Sequence, residues 1–96
     1  MNNAVSISDV QLHPGDPKDE AEGLLGWVTC TLNGTLRLEG MTVRKTLDGD
    51  HALSFPSRLD HAGRKHFLYR PLSDSARREI EAQVFEQLGL EQEATP

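Results

Sequence analysis

The sequence predicts an α+β fold, a small antiparallel β-meander of four or five strands with one C-terminal amphipathic helix packed on the sheet. Three observations carry this. Residues from Leu24 to Leu32 alternate in polarity and run into Asn33-Gly34, the pair best suited to a tight hairpin turn because both positions tolerate positive φ. Short apolar runs elsewhere each stop at proline or glycine. After Ser73 the apolar period lengthens from two to between three and four residues. Ninety-six residues suffice for one hydrophobic core only, since a chain of this size buries about two-thirds of its unfolded surface. One domain over 1–96 is therefore expected, with an ordered core over about 5–89.

The elements follow in order. Val5 to Leu12 carries β-branched residues and ends at His13-Pro14-Gly15, giving a first strand. Residues 16–23 are mostly acidic, contain Pro17 and lack helical or metal-ligand spacing, so they read as a solvated acidic loop. Leu24 to Leu32 places Val28, Cys30 and Leu32 on one face and Leu25, Trp27, Thr29 and Thr31 on the other. The returning strand, Thr35 to Thr46, points Leu36 and Leu38 inward. Its phase then slips at Glu39-Gly40, so that Met41 and Val43 become the apolar positions, and a glycine at such a slip predicts a β-bulge. Asp48-Gly49 makes the next turn, Ala52 to Phe55 a short strand ended by Pro56, Ser57 to Lys65 a charged loop around Gly63, and His66 to Arg70 a last strand stopped by Pro71. Ser73 is a natural N-cap for a helix from about Asp74 to Leu88, with Ala76, Ile80, Val84 and Leu88 in one stripe beside Phe85 and Gly89 just past its end. Residues 90–96 read as a tail.

Composition excludes several classes of function. The lone cysteine, Cys30, has no partner for an internal disulfide or a CxxC zinc site and reads as a buried strand residue, which suits a reducing, cytoplasmic compartment. Neither a basic-then-apolar N-terminal leader nor an apolar stretch approaching the roughly 20 residues that span a bilayer is present, so no membrane association is expected. His13, His51, His61 and His66 show no HxxxH or HExxH spacing, no glycine-rich loop precedes a helix, and a buried cysteine makes a poor nucleophile. No metal, no cofactor and no catalytic activity are predicted.

Charge is distributed unevenly. The chain carries −5, yet between Arg58 and Arg78 six basic residues (Arg58, Arg64, Lys65, Arg70, Arg77, Arg78) face two acidic ones, Asp60 and Asp74, for +4, which leaves −9 on the rest. Geometry should bring these cations together: Arg58, Arg64 and Lys65 on the loop, Arg70 at the helix entrance, Arg77 and Arg78 in the first helical turn. Cations in that turn oppose the helix dipole unless an anion binds there. Alternatively, Arg77 and Arg78 pair with Glu81 or Asp74 on a solvated face. Phe67 and Tyr69, two apart in a strand, share a face and either stack on bases or join the core, the core being expected for both.

The order of these segments resembles the stage V sporulation protein G (SpoVG) family. Ile7-Ser8-Asp9-Val10-Gln11-Leu12 is similar to that family's opening I-T-D-V-R-L type strand. The hairpin beginning at Trp27, Phe55-Pro56-Ser57-Arg58, Gly63, Arg70-Pro71-Leu72 and Ser75-Ala76-Arg77 then follow in register, so that the resemblance spans roughly Ile7 to Leu88. Where family members carry Lys-Arg after Pro-Ser, this chain has Arg58-Leu59, one cation fewer. It has His61-Ala62-Gly63 at a P-D-G turn, His66 at a basic position and Arg70 at a frequent histidine. The resemblance implies a cytoplasmic bacterial homodimer built through its sheet, with a regulatory role linked to septation or sporulation and, in some members, DNA or RNA binding. Carried over, it points to Arg58, to Arg64, Lys65 and His66 in the same loop, and to Arg77.

These readings lead to one expectation, a small dimeric regulator that contacts DNA or RNA mainly through phosphates, using Arg58, Arg64, Lys65, His66, Arg70, Arg77 and Arg78, with the homodimer formed through the Leu24–Thr46 hairpin. The alternative is a protein-interaction module of the division or regulatory machinery, recruiting its partner through the acidic surface or a strand edge.

Overall fold

A computed structural model describes residues 5–90. Strands β1 (Ile7–Pro14), β2 (Leu24–Leu32), β3 (Leu36–Lys45) and β4 (His51–Ser54) form an antiparallel sheet in sequential order, so the meander is as expected. A short helix α1 (Pro17–Ala21) interrupts it after β1, strands β5 (Ser57–Leu59) and β6 (Lys65–Phe67) form a separate two-stranded ribbon, and helix α2 (Asp74–Leu88) follows. Most of the predicted 90–96 tail lies outside the described residues.

The β2–β3 hairpin follows from its turn. Asn33 and Gly34 both adopt positive φ, 52° and 67°, and the Thr35 amide donates to the Leu32 carbonyl at 2.9 Å, a primed turn whose twist matches that of its strands. The bulge also lies where the apolar phase slips. Between the pairs Val28↔Met41 and Cys30↔Leu38, β3 has one more residue than β2, and Gly40 takes φ 92°. The extra residue switches Met41 and Val43 to the same face as Val28 and Cys30, and all four are completely buried. Leu36 shares that face but stands exposed, because it pairs with Leu32 at the very end of the hairpin. Alternation assigns its face, while burial requires something above it.

Residues 16–23 are helical in part rather than a loop throughout. Asp16 accepts from the Asp19 amide at 2.9 Å while the Asp19 carboxylate accepts from the Asp16 amide at 3.2 Å, and Pro17 follows the cap. This reciprocal capping box, with proline pre-set for the first turn, outweighs a composition that looks merely acidic.

Helix α2 has the predicted bounds. Ser73 Oγ accepts from the Ala76 amide at 3.1 Å. At the other end, Gly89 is left-handed, with Gly89 N–H donating to Glu86 and Leu90 N–H to Phe85, the paired bonds of a Schellman cap. Val84 and Phe85 are buried against Ile7, Val28, Cys30, Met41, Val43 and Leu53, with Ile80 and Leu88 partly buried alongside. At 100° per residue, Gln83 lies at one flank of this apolar face while Glu81 falls within it, between Leu88 and Phe85, and each reaches an edge strand of the sheet. Gln83 accepts from Ile7 N–H and donates to the Val5 carbonyl, both at 2.8 Å, and Gln87 donates to the Ile7 carbonyl at 2.7 Å. On the far side, Leu53 N–H of β4 donates to the Glu81 carboxylate at 3.0 Å. Among the described residues, no helix is long and apolar enough to cross a membrane.

Replacing Gln83 by alanine removes both bonds to the β1 edge and leaves Ile7 N–H without its acceptor. The expected loss is about 1–3 kcal/mol, read from urea denaturation, with faster hydrogen exchange at Ile7. Unchanged exchange at Ile7 would show that the helix does not hold this edge.

Candidate functional site

Pro56 ends the main sheet, and the chain turns out into the β5–β6 ribbon, every strand residue of which is exposed. The sequence placed a charged loop over Ser57–Lys65 and a strand over His66–Arg70. Instead, Ser57–Leu59 pairs with Lys65–Phe67, with partners Arg58↔His66 and Leu59↔Lys65. The ribbon is closed by a three-residue loop. Asp60 N–H donates to the Arg64 carbonyl, Gly63 N–H to the Asp60 carbonyl, and Gly63 sits at φ 80°, the pattern in which a glycine in the last loop position completes a hairpin. Asp60 followed three residues later by Gly63 was the signal for it.

Asp60 organises this loop. One carboxylate oxygen accepts from the amides of Ala62 and Arg64, both at 2.9 Å, and the other meets Arg64 Nε at 2.9 Å and His66 Nε2 at 2.8 Å. The His66 contact, followed by the Arg64 amide, holds the Asp60 carboxyl below its ordinary range. Arg64 and His66 are thus the flanks of a local ion cluster.

The helix cations are engaged as well. Arg78 Nε lies 2.7 Å and Arg77 Nη2 3.1 Å from the two oxygens of Asp74, and Arg77 Nη1 lies 3.0 Å from Glu81, which is completely buried. Arg78 first and Arg77 second hold the Asp74 carboxyl low. Two arginines in a first turn oppose the helix dipole; Asp74 in the same turn compensates both, and Arg77 neutralises the one carboxylate that α2 carries into the core. This is the solvated-face pairing that spacing allowed, except that Glu81 is buried, which the apolar stripe did not reveal.

Arg58, Lys65 and Arg70 stand differently. Among the described residues none makes an ion pair. Lys65 Nζ lies 4.9 Å and the Arg70 guanidinium carbon 5.9 Å from the centroid of the Phe67 ring, within the range of cation–π attraction. The sequence expected Phe67 and Tyr69 to enter the core together, and only Tyr69 does. Its hydroxyl donates to the Glu39 carbonyl at 2.7 Å beside the bulge, its ring meets Phe55 edge-on, and burial pushes its pKa up to about 12. Strand β6 ends at Phe67, so the alternation that would pair the two residues ceases between them, and Phe67 remains 44% exposed. Leu59, Leu68 and Leu72 are exposed around it.

Cys30 lies in the core and burial raises its thiol pKa, which disfavours the reactive thiolate. Among the described residues no three His, Cys, Asp or Glu side chains converge on a possible metal position. Compared with models of known protein families and with curated proteins, the chain matches none.

Because Asp60 and Asp74 have folded-state pKa values below the ordinary 3.8, the stabilisation from their pairing is fully present above that value and is lost as pH falls through the depressed values. A carboxyl NMR titration should give both midpoints below 3.8, and Asp60→Asn should leave the Asp74 midpoint in place. A midpoint for Asp60 at or above the ordinary value would mean that the loop cluster does not persist in solution.

Proposed function

We propose that this chain is a small, non-catalytic cytoplasmic regulator that binds DNA or RNA weakly through the β5–β6 ribbon and the segment leading into α2. The observation that carries this is the contrast among the cations. Arg64, Arg77 and Arg78 are occupied by Asp60, Asp74 and Glu81, whereas Arg58 and Lys65 on the exposed ribbon and Arg70 on the segment after it have no acidic partner among the described residues. In a chain of net charge −5, cations left without partners around one exposed ring favour an anionic ligand there. The resemblance to the stage V sporulation protein G family supports the same reading and adds a role in septation- or sporulation-type regulation. A buried free thiol fits a reducing compartment.

Three phosphate contacts predict that log K falls against log salt with a slope of about −2 to −3. Fluorescence anisotropy with duplex DNA, single-stranded DNA and RNA at low and moderate salt measures it. Arg58→Ala, Lys65→Ala and Arg70→Ala should each weaken binding and reduce the slope by about one, while Arg78→Ala should change it little. An affinity insensitive to salt, or no binding to any of the three, would sink the proposal.

A second reading, a protein-interaction module whose first partner is another copy of the chain, is favoured by one strand edge. Within the Leu24–Thr46 hairpin, β2 is flanked by β1 and β3, but β4 pairs only with Thr42–Lys45, leaving residues 36–40 of β3 without a strand on that side. An open edge is a template for pairing, and a homodimer formed there would double the cationic surface. Sedimentation at micromolar concentration should show a dimer that Leu38→Pro disrupts; monomer alone would exclude it.

A further inference from the structure

Resting on the nucleic-acid reading above, we infer that the ligand of the β5–β6 arm is a single strand rather than a duplex, with one base stacked on Phe67. Phe67 forms the ridge between two shallow concavities and lines both. The larger, about 650 Å³, has Arg58, Leu59 and Leu68 in its wall beside Asp60, and the smaller, about 420 Å³, has Arg70, Pro71 and Leu72 beside Asp74, both carboxylates being engaged by arginines. Each therefore combines an exposed cation with apolar side chains, and the aromatic ring they share lies beneath Lys65 and Arg70.

This combination fits the chemistry of an unpaired strand. A duplex turns its sugar-phosphate backbones outward, so apolar side chains as exposed as Leu59 and Leu72, at 69% and 97%, find little to contact on it. A single strand offers base faces to apolar and aromatic surfaces and phosphates to cations at the same time. Three cations without acidic partners are few for a duplex binder that relies on counterion release alone. Stacking supplies attraction that does not depend on charge, which suits an acidic chain. Lys65 and Arg70 lie over the Phe67 ring, and a base that stacks there displaces these long, exposed side chains from the ring toward its own phosphates. Phe55 and Tyr69, the neighbouring aromatics, are engaged with each other in the core, so Phe67 is the ring available for this role.

The test compares three ligands of equal length, about 12 nucleotides and so within the usual site size for one small domain: a single strand, its duplex, and the same single-stranded backbone with abasic sites. The single strand should bind about tenfold tighter than either of the others. Phe67→Leu, which keeps an apolar side chain at an exposed position, should weaken single-strand binding about five- to a hundredfold, the worth of one stacked base, and leave the salt slope and the duplex affinity unchanged. Phe67→Trp should retain or improve it. Equal affinity for the abasic strand, tighter binding of the duplex, or an inert Phe67→Leu would overturn the inference while leaving phosphate-driven binding intact. Loss of binding to every ligand by the unsubstituted chain would remove both.

Discussion

The structure depends on how α2 ends the sheet at both edges. A four-stranded sheet in sequential order has β1 and β4 at its margins, and unpaired backbone groups at such margins must be satisfied or left open to other chains. Here the side chains of one helix reach both margins, each at one place: Gln83 and Gln87 at Val5 and Ile7, where β1 begins, and Glu81 at Leu53 of β4. Val84 and Phe85, on either side of Glu81, enter the core. The helix is thereby held in position by directional bonds as well as by its apolar face, and the sheet beneath it is held across its whole width.

That arrangement also accounts for the use of charge at the helix start. Carrying Glu81 into the core requires a compensating cation, because an unpaired buried carboxylate is strongly unfavourable. Arg77, one turn earlier, provides it. Asp74 then compensates Arg77 and Arg78 against the helix dipole, so the first turn is closed upon itself. The consequence is a division of labour among the basic residues from Arg58 to Arg78. Those on the helix, together with Arg64 in the ribbon loop, are paired with carboxylates, and Arg58, Lys65 and Arg70 are not.

The arm has the opposite character. Two three-residue strands with no exposed residue covered by the rest of the domain would be marginal alone, and Asp60 secures their loop by four short contacts. The ribbon and the segment that follows it together expose Leu59, Phe67, Leu68 and Leu72, an apolar surface that the core does not use.

Much of the fold was legible from the sequence because it depends on local signals. Asn33-Gly34 specifies its turn, the phase slip at Gly40 its bulge, and Ser73 and Gly89 the two ends of α2, each through backbone preferences acting within a few residues. The capping box at Asp16 and the loop glycine at Gly63 were signals of the same kind, obscured by acidic and basic composition. What local pattern does not contain is which groups meet across the molecule. The charge anomaly between Arg58 and Arg78 was plain in the sequence, but only the structure decides that Arg64, Arg77 and Arg78 face carboxylates while Arg58, Lys65 and Arg70 do not. It likewise decides that Tyr69 packs against the core, partly buried, and Phe67 does not. The ion pairs of these arginines span only three or four residues, so the sequence offered those of Arg77 and Arg78 as one alternative and the local backbone selects them. Burial depends on distances between segments far apart in the chain, and those distances exist only once the helix has been laid across the sheet.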